Sequence, residues 1–191
     1  SRVFVDTSGI LQPLLKGIAV QNDVPSQVQL MNQTLLIRPN LEAVTRELYL
    51  QLLDASTGHA LCRVWNYVPA INAIGPGGLE NYQAFSRGRA LAFEEHLGAE
   101  FKRRLPAASA VGCDDEHLVV FFAANRGEPQ HRENPRQVPA YEYPPQYGPR
   151  PPSFARATLV PRKDGRRDVF VSGTSAVTGH ATVAPGDTVA Q

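Results

Sequence analysis

Between Pro129 and Pro152 the chain carries half of its sixteen prolines, and no other feature so narrows what it can fold into. Proline fixes φ and has no N–H to donate, so this stretch can form neither a regular helix nor an interior strand. Such a density normally marks a tether. Yet the same window holds three of the six tyrosines, Tyr141, Tyr143 and Tyr147. An aromatic side chain gains little unless it packs or binds something. Three readings follow: a linker between domains, a rigid wall of a binding site, or an exposed polyproline ligand at Tyr141-Glu142-Tyr143-Pro144-Pro145.

The flanking sequence is that of a folded domain. After Pro39-Asn40, Leu41, Val44, Leu48 and Leu52 recur at helical spacing, which predicts an amphipathic helix over 41–56 with Asn40 as its N-cap. Ala60 to Val68 alternates as a strand, with Cys62, Val64 and Asn66 on one face and Arg63, Trp65 and Tyr67 on the other; Pro69 ends it. A second helix is predicted over 79–101, and Gly88 at its middle points to close packing. Ala108–Cys113 and His117–Ala124 read as paired strands around Asp114-Asp115-Glu116. Two more strands, Phe154–Val160 and 166–173, flank Lys163-Asp164-Gly165. Before Ile37, short apolar runs alternate with turn residues. The sum is an α+β fold, a mixed sheet with helices packed on one face.

Several function classes are excluded. The net charge is +1 and the basic residues cluster only at Arg162, Lys163, Arg166 and Arg167 in a turn, so nucleic acid is a poor partner. No apolar run approaches the roughly 20 residues that span a bilayer, and no signal peptide opens the chain. Cys62 and Cys113 read as free thiols of a reducing, cytoplasmic setting, a cross-strand disulfide being the lesser alternative. The loop Gly75-Pro76-Gly77-Gly78 lacks the Lys-Ser/Thr of a phosphate-binding loop. Nucleophile and zinc motifs are absent, and the acids beside His117 point alternately to opposite faces, so neither metal nor cofactor is expected.

The chemistry-bearing residues that stand out are arginines and tyrosines in structured places. Tyr82 and Arg89 are seven residues apart, two turns along one helix face that also carries Phe85 and Phe93. A snorkelling arginine at the edge of the core is the ordinary reading of Arg89. Arg156 falls inside the predicted strand 154–160, on the face of Phe154 and Thr158, with Tyr143 thirteen residues upstream. A buried guanidinium requires an anionic partner, so two such forks suit a small dicarboxylate.

Four blocks carry a resemblance: CRVWNYVPAINA, GLENYQAFSRGRALAFE, ENPRQVPAYEYPPQYGPRPPSFARA and VFVSGTSAVTGH, in that order from Cys62 to His180. Together they resemble the chorismatase family. The resemblance implies RidA/YjgF-like units duplicated in one chain: residues 1–125 the first, 126–153 a substrate-site segment, and 154–191 the start of a second. It implies chorismate as the substrate, with release of pyruvate and of a dihydroxycyclohexadiene carboxylate or a hydroxybenzoate. Tyr82 and Arg89, and Tyr143 and Arg156, match the family's substrate-binding pairs. The family's proton-donating glutamate aligns beyond Gln191, so that Glu80, Glu94 and Glu133 are not expected to replace it. The chain is accordingly expected to continue past Gln191, where a helix capped by Asp187 would begin, and residues 1–191 alone are expected to turn over little chorismate. Product type would depend on small residues near Ser175 and Ala176. Intrachain pseudo-trimer and oligomer are both compatible with such units. The alternative is a RidA-like module that binds small carboxylates or hydrolyses imines without acting on chorismate.

Overall fold

The computed structural model describes residues 28–36, 40–174 and 177–182. The expected cap at Asp187, the residues Ser175 and Ala176, and the apolar runs before Val28 lie outside them.

Strand β1 (Val28–Leu36) leads to helix α1 (Leu41–Ala55), strand β2 (Ala60–Pro69) and helix α2 (Asn81–Leu97). A short 3-10 turn over Phe101–Arg104 precedes β3 (Ala107–Cys113) and β4 (His117–Asn125). The four strands form one mixed sheet in the order β1-β4-β2-β3, with β2 and β3 parallel and the other pairs antiparallel. Strands β3 and β4 are therefore not the hairpin their spacing suggests, because β2 lies between them. The physical reason is α2: a strand, a helix and a returning strand make a crossover that lays β3 parallel to β2 and leaves it at the sheet edge. The intervening turn is closed by Asp115, whose carboxylate accepts from the His117 backbone N–H at 2.9 Å and lies 2.7 Å from its ring Nδ1.

Both helices cover one face of this sheet. Leu48, Tyr49 and Leu52 of α1 and Phe85 and Phe93 of α2 are fully buried against Val64, Val68, Val120 and Phe122. The Asn40 side chain accepts from Ala43 N at 3.1 Å, the cap expected of it. Helix α1 is rotated slightly from its sequence pattern: Thr45 and Tyr49 take core positions while Val44 is half-buried. Helix α2 stops at Leu97, four residues short of expectation, because Gly98 turns to φ +74° and ψ −165°, an extended positive-φ conformation open to glycine and incompatible with a further helical turn. Cys62 is buried, and Cys113 lies opposite Pro69, seven residues farther along β2, so no disulfide can join them.

The proline-rich segment is neither extended nor a tether. After β5 (Gln130–Arg132) it folds into two 3-10 turns, Ala140–Glu142 and Pro145–Tyr147, with Ala140 fully buried and Tyr141 and Phe154 packed on the main core. Strands β5, β6 (Ala157–Pro161) and β7 (Arg167–Val171) form a second sheet, and β8 (Val177–Thr178) with β9 (Ala181–Thr182) a small hairpin. The hairpin clamps the segment: Val138 N donates to Gly179 O and Gly179 N to Arg136 O, each at 2.8 Å. The Tyr147 hydroxyl donates to His180 O at 2.8 Å. A polyproline ligand would be exposed, and this stretch is pinned at both ends.

Candidate active site

Helix α2 turns Tyr82 and Arg89 to the same side, where they line a cavity of about 190 Å3 against the edge strand β3. Ser109 of β3, the 152–154 stretch and Gly173 complete the wall. Edge position explains the cavity. The second sheet meets β3 through only a few backbone contacts, leaving a gap between the helix face and residues 152–154. A wider, shallower hollow of about 340 Å3 lies at the other end of β3, but its ionisable groups are only Cys113 and Asp114. The smaller cavity has the chemistry.

Arg89 does not snorkel. It is 3% exposed, its guanidinium lies 5.1 Å from the Tyr49 ring centroid and 5.5 Å from that of Phe93, and Nε and Nη2 are buried without a hydrogen-bond partner. No carboxylate among the described residues pairs with it. An isolated buried charge of this kind costs several kcal/mol, a cost that an anion in the cavity would offset.

Arg156 does not belong to a strand, contrary to its alternating neighbours. It occupies the bend just before β6, since Ala155 bridges to Ala107 of β3 and the regular ladder begins only at Ala157. The bend lets its buried side chain turn toward the proline-rich segment: Nη2 donates to the Tyr143 hydroxyl at 2.9 Å and to Val138 O at 3.3 Å, and Nη1 to Thr174 Oγ1 at 3.3 Å. The guanidinium also lies 5.2 Å from the Phe154 ring centroid, and Phe154 lines the Arg89 cavity. Its Nε is buried and unpartnered.

Tyr82 joins the two pairs. Burial raises its phenol pKa, the Arg89 charge opposes that rise, and the Tyr143 phenol and the Arg156 charge act on it as well. Of the four residues singled out in the sequence, Tyr82 and Arg89 line the cavity, while Arg156 and Tyr143 pair with each other next to its lining residue Phe154.

Two further groups, Arg63 and Ser109, were not singled out, and Glu133 was set aside as a proton donor. Arg63 on β2 is 7% exposed, and burial first and Arg89 second lower its pKa to about 10. Ser109 receives its Nη2 at 2.9 Å. Glu133 follows β5; burial raises its pKa against the opposing Arg156 charge and the Arg156 backbone N–H it accepts, and its Oε2 is buried without a partner. Alternation had put Arg63 on one strand face with Trp65 and Tyr67, and only the loss of its exposure marks it out. Glu94, by contrast, pairs with Arg150 at 2.8 Å near the surface.

Comparison with known proteins identifies the family. The family described as "Chorismatase FkbO/Hyg5-like, N-terminal" matches residues 17–124. A 3-hydroxybenzoate synthase of Streptomyces hygroscopicus is 46% identical over 145 residues, covering 74% of this chain and 42% of that protein. A chorismatase of the same organism is 43% identical over 141 residues, covering 73% and 40%. The crystal structure of a chorismatase at 1.08 Å superposes with a TM-score of 0.83 at 34% identity, over 92% of this chain and 53% of the other. The chain thus spans about two fifths of the length of the curated relatives it matches. With two helices over a mixed sheet and a family match across more than half its length, the chain belongs to the chorismatase family.

Proposed function

We propose that this chain supplies the substrate-binding half of a chorismatase site, which cleaves the enolpyruvyl ether of chorismate and releases pyruvate. The observation that carries the reading is the buried Arg89 lining one small cavity, with the buried Arg63 and Arg156 against its lining residues Ser109 and Phe154, and no ion pair to Arg89 among the described residues. Chorismate bears a ring carboxylate and a second carboxylate on its enolpyruvyl arm. Arg89 takes one and Arg156 the other, and the Tyr82 and Tyr143 phenols donate to them or to ring oxygens. Protonation of the enol methylene carbon then yields an oxocarbenium ion. Water adds to it and the hemiketal collapses with cleavage of the ether C–O bond to pyruvate and the dihydroxy acid, or the neighbouring ring hydroxyl displaces the activated group at the ring carbon, pyruvate leaves and loss of a ring proton gives the hydroxybenzoate. The product is a dihydroxycyclohexadiene carboxylate or a hydroxybenzoate accordingly. The proton donor is a glutamate outside residues 1–191, in keeping with the longer relatives. Glu133 accepts a backbone N–H from Arg156 and so serves the loop. In this reading the segment 126–153 is the substrate wall between a first RidA-like unit, up to 125, and a second that starts near Phe154. A reducing, cytoplasmic setting suits the buried thiol Cys62.

The test is chorismate binding and turnover in a protein of the relatives' full length that carries this chain. Arg89→Met replaces the fork by an apolar side chain of similar length, which removes a buried charge and should not unfold the protein. Chorismate affinity is expected to fall at least tenfold, with pyruvate release falling alongside. Unchanged affinity would remove Arg89 from the site. Robust binding without pyruvate release in the unmodified protein would favour the RidA-like carboxylate-binding alternative.

A further inference from the structure

Arg63 is the arginine that two substrate carboxylates leave unassigned. It lies beside the irregularity that shifts the β2–β4 register between Leu61 and Arg63, and its guanidinium sits 5.1 Å from the Trp65 ring centroid. One fork nitrogen, Nη2, donates to Ser109 Oγ at 2.9 Å, and the other, Nη1, is buried with no partner. Ser109 lines the same cavity as Arg89.

Hydrogen-bond accounting then constrains the serine. Arginine donates and never accepts, so Ser109 Oγ is the acceptor in this contact and its own hydrogen must go elsewhere. Among the described residues that hydroxyl donates to nothing. Gly173 closes the side opposite: a Cβ there would lie 3.2 Å from Ser109 Cβ, so the serine is pressed between Gly173 and Arg63. Ser109 also borders the cavity. Two buried guanidinium groups that repel one another, with no acid among the described residues to pair either, are unfavourable until an anion arrives. A position serving packing alone would be filled at lower cost by a methionine or leucine.

We propose that Ser109 donates its hydroxyl hydrogen to the carboxylate held by Arg89, and that Arg63 is the positioning residue that orients this hydroxyl and places a second fixed positive charge behind it. This rests on the chorismate reading of the cavity and adds a specificity element to it. The site would prefer a carboxylate able to accept from the arginine fork and a hydroxyl together. A ligand offering a single neutral oxygen would gain little from it.

The experiment is a double-mutant cycle on chorismate affinity in the full-length protein, with Ser109→Ala, Arg63→Met and the pair combined, and Arg89→Met as the control. Ser109→Ala is expected to weaken binding about tenfold and Arg63→Met at least as much. The double variant should match Arg63→Met within about twofold, because the serine is no longer oriented once the arginine is gone. Arg63→Lys, which keeps a donor and the charge, should recover part of the loss. Fully additive losses, or unchanged affinity in Ser109→Ala, would overturn the proposal. If Arg89→Met also leaves chorismate affinity unchanged, the cavity reading itself fails; if Arg89→Met weakens binding while Ser109→Ala does not, only the present inference does. Should Arg63→Met fold poorly, Ser109→Ala decides alone, since it removes a single oxygen.

Discussion

His131 shows how a single side chain ties stability to pH. Its Nδ1 lies 3.1 Å from Thr158 Oγ1, and that oxygen already accepts from Ala107 N at 2.9 Å, so the threonine hydrogen is free to go to the imidazole. A ring that accepts at Nδ1 must be neutral there. Burial first, and the nearby Arg104 charge second, lower its pKa from 6.5 to about 4. The unfolded chain takes up a proton near pH 6.5, whereas the folded one resists until about pH 4. The stability associated with the neutral ring is therefore complete above pH 6.5 and is lost as the pH falls toward 4. At about 1.4 kcal/mol per pKa unit the total is on the order of 3 kcal/mol. Denaturant midpoints measured from pH 7.5 to 4.5 should decline less steeply in His131→Gln than in the unmodified chain. Parallel curves would mean that the ring is protonated in the fold.

Between elements the decisive contact is the crossing of α1 and α2. A Cβ on Gly88 would lie 2.3 Å from Glu42 O and 2.9 Å from Thr45 Cβ, distances that no side-chain carbon can occupy. Alanine would gain about 1 kcal/mol of helix propensity, but the helices would have to separate, and overpacking of a tight interface costs about 1–3 kcal/mol or more. Gly88→Ala is thus expected to lower the thermal midpoint although it improves the isolated helix. An unchanged or raised midpoint would show that the helices can part without cost. Because Tyr82 and Arg89 ride on α2, the same substitution should also disturb the cavity. A relay ties α1 to the sheet below: the Tyr49 hydroxyl donates to Asn66 Oδ1, and Asn66 Nδ2 donates to Ser109 O at 2.7 Å. Helix α1 is in this way connected to the edge strand that walls the site.

At the scale of the molecule, two sheets are joined at the outer edge of β3. Ala107 N donates to Thr158 Oγ1, Ala108 N to Ser172 Oγ at 2.8 Å, and Ser172 Oγ in turn to Ala155 O. Side-chain hydroxyls from the second sheet thus satisfy an edge that would otherwise expose its N–H groups. Ser172→Ala leaves the buried Ala108 N–H without a partner, a loss of about 1–3 kcal/mol, and loosens the wall that Phe154 and Gly173 provide. Chemical denaturation should register that loss together with weaker chorismate binding. A change in neither would mean that water or a shift of the strand replaces the hydroxyl.

Periodicity and capping residues sufficed to locate α1, α2 and β2, because local hydrogen bonding and a single apolar face are written in short-range spacing. The tyrosine and arginine pairs were legible as residue types in structured places, and the family resemblance of four ordered blocks named the chemistry. The partners of β3, the bend that frees Arg156 and the burial of Arg63 were not legible. Each depends on which distant strand lies alongside, and a β-strand's sequence records its faces but not its neighbours. Only in the folded chain does one see that Arg63, Arg89 and Arg156 are all dehydrated and that none forms a salt bridge among the described residues, since burial and pairing belong to the assembled core and not to any local stretch.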